Sequence, residues 1–153
     1  MRQGGLVDLG HSNDMMIRFP NKSANEGFAR VAVAAFVAQL DVTVEELSDI
    51  KTAVSEAVTN AIVHGYENLK GYITVKCKIC DCVVEISVSD SGHGIADIEK
   101  ARQPLYTSRP EHERSGMGFT VMETFMDGIE ITSALGVGTT VVMKKKVSAG
   151  QQD

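Results

Sequence analysis

No apolar run in this chain approaches the roughly 20 residues needed to cross a bilayer, which excludes a helical membrane protein. The first ten residues, MRQGGLVDLG, lack the basic flank and apolar stretch of a secretory signal, so a cytoplasmic protein is expected. A formal net charge of −5 leaves no basic stripe for neutralising phosphates, and direct nucleic-acid binding is not expected. The only concentrated positive run, Lys144-Lys145-Lys146, ends a predicted strand and reads as solvated edge protection. The three cysteines, Cys77, Cys80 and Cys82, have zinc-like spacing in CKICDC, but no second Cys/His cluster completes four ligands. Ile73, Val75, Cys77 and Ile79 alternate with Thr74, Lys76 and Lys78, so these are core or turn cysteines and no structural zinc is expected. No P-loop pattern, internal repeat or low-complexity tract occurs either.

What is present has the length of one domain and the hydrophobic content, 43%, of a globular protein. Residues 1–13 are Gly-rich and aperiodic and read as a flexible extension, with the ordered domain over 14–146 starting near Met15 or Met16 and a short tail over 147–153. MMIRFP is a predicted strand ended by Pro20. A helix follows from Asn25, capped by Ser23 or Asn25, with Phe28, Val31, Ala35 and Phe36 on its apolar face. Thr43 and Glu46 form a capping-box pair opening a second helix that runs to about Val63 before Gly65 stops it. Strands are predicted at 72–79 and 83–89, then a long low-apolar lid, a helix over about 117–126, and a hairpin turning at Gly136 and Gly138. This order predicts an α/β fold, a mixed and mostly antiparallel sheet covered on one face by helices.

The second helix carries Glu56, Asn60 and His64 at steps of four, a slowly drifting stripe that can converge on one ligand or simply face water. After the next pair of strands comes DSGHGI. There Asp90 can accept a hydrogen bond from an exocyclic amine and Gly92 and Gly94 relax the backbone, although the same letters make an ordinary turn. RSGMGF, with Arg114, Ser115, Gly116, Met117 and Gly118, opens a helix and offers N–H groups to phosphate. Gly138 to Thr140, GTT, stand in the last hairpin.

In this order the motifs resemble the nucleotide-binding fold of the gyrase, Hsp90, histidine kinase and MutL superfamily, across residues 14 to 146. Within it, FARVAVAAFVAQLD, SEAVTNAIVHGYEN, ARQPLYTSRPE and ERSGMGFTVMETFMD are most similar to the bacterial anti-sigma factor serine kinases, and among them to the branch that inhibits the sporulation sigma factor, sigma F. A sensor histidine kinase fits less well, since there is no room for a phosphoacceptor domain and Val63 stands where a basic residue is expected. Gyrase and mismatch-repair ATPases would need a transducer domain.

The resemblance implies a Bergerat-type two-layer sandwich with an ATP lid. It implies a protein serine kinase in which Glu56 is the general base and Asn60 an oxygen ligand to Mg²⁺ carried with ATP or ADP. Asp90, Gly92, Gly94 and Thr139 would hold adenine. Arg114, Ser115, Gly116, Met117 and Gly118 would hold the phosphates, with Arg114 reaching the γ-phosphate or a docked partner. Two partners are implied, a sigma factor held inactive and an anti-anti-sigma protein phosphorylated on serine, together with a homodimer. The lid would sense the γ-phosphate. Arg30 is the candidate partner contact, or else a solvated helix arginine, and His64 has no assigned role beyond closing the helix end. The alternatives are a stress-response kinase with a different sigma partner and a nucleotide-gated binding module without useful kinase activity.

Overall fold

The computed structural model describes residues 12–66, 69–95, 102 and 118–148. In chain order the elements are β1 (Asn13–Pro20), α1 (Asn25–Val37), α2 (Val44–Asn60), a π-helical turn (Ala61–Gly65), β2 (Tyr72–Cys80), β3 (Val83–Asp90), α3 (Gly118–Phe125), β4 (Gly128–Ala134) and β5 (Gly138–Lys146). The strands form one sheet in the order β1-β2-β3-β5-β4. The expectation was a mixed, mostly antiparallel sheet; every pairing among the described strands is antiparallel.

Residues opposite one another in the ladder share a face, so the alternation in each strand adds up across the sheet. One row reads Ile17, Val75, Val88, Val141, Ile131, and the next Met15, Cys77, Ile86, Met143, Ile129. These rows meet the buried side of α2, where Ile50, Ala53, Val54, Ala57 and Val58 lie inside the core. Cys77 sits there as a small apolar group, and burial pushes its thiol up to about 12, which suppresses thiolate chemistry. Cys80 is exposed and Cys82 half-buried at the β2–β3 turn, and no disulfide joins any of the three.

The Thr43 capping box forms as the sequence predicts: Thr43 Oγ1 accepts from Glu46 N, and Glu46 Oε1 accepts from Thr43 N, both at 3.0 Å. α1 departs from expectation twice. Its N-cap is Ala24 with no side-chain cap, because Asn25 Nδ2 instead donates to Pro20 O at 2.9 Å and fixes the strand-to-helix corner. Its buried stripe is Ala29, Val33 and Val37, while Phe28 and Val31 are 55% and 61% exposed and Ala35 is also exposed. A helix apolar almost all round can turn either face inward, and here the small residues allow the closer approach to α2.

Described structure also lies on either side of residues 14–146. Asn13 pairs with Ile79 in the β1–β2 ladder and donates to Gln39 Oε1 at 3.0 Å. Val147 is buried and donates to Cys82 O, and Ser148 donates to Glu46 Oε2. The rest of the predicted extension and tail, residues 1–11 and 149–153, lies outside the described residues.

The lysine run is corrected too. β5 lies between β3 and β4, so Lys144 to Lys146 protect no edge. Lys144 lies 3.9 Å from Glu85 on the open face of the sheet. Lys145 points the other way: its Nζ donates to Phe125 O at 2.9 Å, at the C-terminal end of α3, and lies 3.6 Å from Asp49 of α2. An ammonium at a helix C-terminus meets orphan carbonyls and the negative end of the dipole. The side chain is only 13% exposed, so the contact is largely shielded from solvent. Lys145→Met should therefore cost about 1.5–3 kcal/mol in urea unfolding, since Phe125 O and Asp49 both lose their cation.

Candidate functional site

The open end of the central strands is where the sequence motifs meet. Asp90 ends β3, and in the ladder it stands opposite Ile73 on one side and Thr139 on the other, on the face covered by helices. Its Oδ1 accepts the N–H of Gly92 at 2.9 Å, and the backbone N–H of Thr139 also bonds the carboxyl group. Burial lifts the carboxyl above the ordinary aspartate value, and the Gly92 and Thr139 N–H groups and His93 pull it back only in part. The group is thus a half-buried acceptor at a strand end, suited to a hydrogen-bond donor on a ligand.

Three glycines make that position possible. A Cβ on Gly65 would lie 2.9 Å from Asp90 Cγ, one on Gly92 only 1.7 Å from Gly65 O, and one on Gly138 2.1 Å from Asp90 O. Gly94 and Gly138 also have positive φ, 82° and 128°, which disfavours any other residue. The loop after Asp90 is sewn to both neighbours: His93 N donates to Gly65 O and Gly136 N donates to His93 O, each at 2.8 Å.

Gly65 closes the π-helical turn that continues α2, so the helix bearing Glu56 and Asn60 runs directly into the Asp90 wall. Both side chains are half-buried and one helical turn apart, as the predicted stripe requires. His64 lies inside the π-turn that continues α2. π-turns of this kind are frequent at functional sites.

Sequence reasoning missed two organising hydroxyls. Tyr66 donates to Tyr72 O at 2.6 Å and accepts from Ser91 N at 2.8 Å, fixing the start of the glycine loop. Ser133 accepts from Ile95 N at 2.7 Å and lies 2.8 Å from Thr139 Oγ1, tying β4 to the same loop. The signal for Ser133 was legible: Ile129, Ile131 and Ser133 share one face of β4, so a polar residue stands in an apolar series.

Of the predicted phosphate residues, Arg114, Ser115, Gly116 and Met117 lie outside the described residues, as does most of the lid, and Gly118 begins α3. Arg30 is half-buried on α1 and ion-pairs with Glu26 at 3.5 Å. Among the described residues no three His, Cys, Asp or Glu side chains gather as a metal cluster. Asn60 offers a single amide oxygen, a hard donor that suits Mg²⁺ arriving with phosphate and water.

The sequence signature of the Histidine kinase-like ATPase domain family matches residues 19–145. Over 137 residues the chain is 62% identical to the Anti-sigma F factor of Clostridium botulinum (strain Eklund 17B / Type B), covering 89% of this chain and 96% of that protein. The chain belongs to the anti-sigma F factor family of histidine kinase-like ATPase domains. The Anti-sigma F factor of Clostridium perfringens (strain SM101 / Type A) is 60% identical over 89% of this chain and 98% of its own length. That of Thermoanaerobacter pseudethanolicus is 59% identical over 91% and 97%. Among solved structures, the RsbU and RsbW domains of a Mycobacterium tuberculosis protein superpose with a TM-score of 0.62 at 19% identity, over 90% of this chain. The chain spans 32% of that longer protein, and the likeness is one of fold. No helix among the described residues of this anti-sigma F family member is long and apolar enough to cross a membrane.

Asp90 yields a pH-dependent prediction. Because burial raises its folded value above that of the unfolded chain, its ionisation opposes folding at higher pH, and this penalty is relieved as pH falls through the folded value. The stability difference, Asp90→Asn minus parent, should grow more positive as pH rises from about 4 to 7 in thermal melts. Over the same change of residue ATP affinity should fall at least about tenfold.

Proposed function

We propose that this protein is an anti-sigma factor that binds and inhibits sigma F and uses Mg-ATP to phosphorylate a serine of its anti-anti-sigma antagonist. The observation that carries the reading is the junction at Gly65. The helix that bears Glu56 and Asn60 continues to Gly65, which meets the strand end where Asp90 sits half-buried among glycines, and the relatives sharing about 60% of the sequence are named Anti-sigma F factors.

In this reading Asp90 accepts the exocyclic amine of adenine, with Thr139 beside it and Gly92 and Gly94 letting the chain pass beneath the base. Arg114, Ser115, Gly116, Met117 and Gly118 enclose the phosphates at the start of α3, where N–H groups without helical partners favour anions. Asn60 would hold Mg²⁺ through its amide oxygen, and an ion arriving with the nucleotide would supply neutralisation of the phosphate charge. Glu56 orients the partner's serine hydroxyl and takes its proton. The serine oxygen then bonds to the γ-phosphorus while the bond to the bridging oxygen breaks and ADP leaves.

Partner binding is assigned to α1. Phe28 and Val31 are exposed on it, apolar side chains of the kind that protein interfaces use, and the same helix carries Arg30, whose side chain is 41% exposed. We assign the sigma factor and the antagonist to this region, and a homodimer as the working assembly. The catalytic unit spans residues 14–146 with the short additions of Asn13, Val147 and Ser148 described above.

The test is phosphate transfer from labelled ATP to a recombinant anti-anti-sigma protein. Glu56→Gln should lower transfer by about 10²–10⁴-fold while ATP still binds. Asn60→Ala should abolish the Mg²⁺ dependence of nucleotide affinity. Unchanged transfer by the glutamine variant would remove the general-base role, and co-purification without any sigma factor would remove the inhibitory one.

A further inference from the structure

α1 and α2 pack against each other, and one polar bridge crosses the part-buried seam between them. Ser55 Oγ of α2 donates to Glu26 Oε2 in the first turn of α1 at 2.6 Å. The same carboxylate oxygen faces Arg30 Nε at 3.5 Å. That Nε is closed off from water and makes no hydrogen bond of good geometry, so the Glu26 carboxylate is what compensates it. The guanidinium folds back along α1: a Cβ built on Gly27 would lie 3.6 Å from Arg30 Nη2. Exposed i,i+4 ion pairs are weak and mobile, but this one shares an oxygen that a short, charge-assisted bond from another helix has already fixed.

Ser55 is also the residue before Glu56. Successive helical residues point about 100° apart, so one turn of α2 aims Ser55 at α1 and carries Glu56 to an adjacent side of the same helix. We infer that Ser55 is a positioning residue, which through Glu26 fixes the Arg30 guanidinium in register with Glu56 and so aligns the docked protein substrate with the catalytic carboxylate. The inference rests on the assignment of Arg30 to partner binding made above, and adds how that arginine is tied to the reacting end of α2. Loss of the Ser55 hydroxyl frees the Glu26 rotamer, and Arg30 then samples geometries that do not meet the substrate.

Steady-state phosphate transfer from ATP to the recombinant anti-anti-sigma protein separates the possibilities. Ser55→Ala should raise the KM for the protein substrate about tenfold, with kcat and the KM for ATP unchanged. The isosteric pair Ser55→Thr and Ser55→Val guards against a folding defect: the threonine variant should keep a near-parental KM and the valine variant should match alanine. The double variant Ser55→Ala with Arg30→Ala should be no worse than Arg30→Ala alone, because the two act through one chain of contacts. A parental KM in Ser55→Ala, or equal KM values for the threonine and valine variants, overturns the inference while a raised KM in Arg30→Ala keeps the partner role of Arg30. A parental KM in Arg30→Ala overturns that role and this inference with it.

Discussion

A half-buried carboxylate at the end of the central strand governs what can surround it. Asp90 is enclosed by the π-turn of α2, the glycine loop and the β4–β5 turn, and each of these must present backbone to it and not side chain. The glycines at 65, 92 and 138 follow from that one constraint, since a methyl group at any of them would fall within 3.0 Å of a neighbouring atom. Burial makes the ionised form costly, and Gly92 and Thr139 N–H groups offset part of the cost. A hydrogen-bond donor on a ligand facing the carboxyl would offset more.

The same constraint explains why the catalytic candidates lie where they do. α2 has to descend on the sheet far enough for Gly65 to reach Asp90, and this fixes Asn60 and Glu56 about one and two turns behind the contact. α3 is anchored at its other end, where Lys145 joins Phe125 O to Asp49 of α2. The start of α3, the predicted phosphate side, is thereby set relative to α2 by a cation drawn from the internal strand β5.

Much of this was legible in the sequence. The Thr43–Glu46 box, the alternation of β2 and β3, and the hairpin glycines with positive φ all express local chemistry that tertiary structure did not override. The order of the motifs pointed to the family. What was not legible depended on partners distant in sequence. α1 is apolar around most of its surface, so its periodicity could not choose between Phe28 with Val31 and Ala29 with Val33. Lys145 read as one of three solvated lysines because only the strand order makes β5 internal. Asn25 read as a cap, but the preceding Pro20 carbonyl competes for its amide. Tyr66 and Ser133 bond backbone groups brought in by other strands, which no local window contains.

The central claim is that Asp90 reads the amine edge of a purine. Titration of the protein with ATP and with GTP, in Mg²⁺ and at neutral pH, addresses it directly, because guanine presents a carbonyl oxygen where adenine presents an amine, and two acceptors cannot share a hydrogen bond. ATP should bind at least about tenfold tighter than GTP. Equal affinity for the two nucleotides, or tighter binding of GTP, would contradict the assignment.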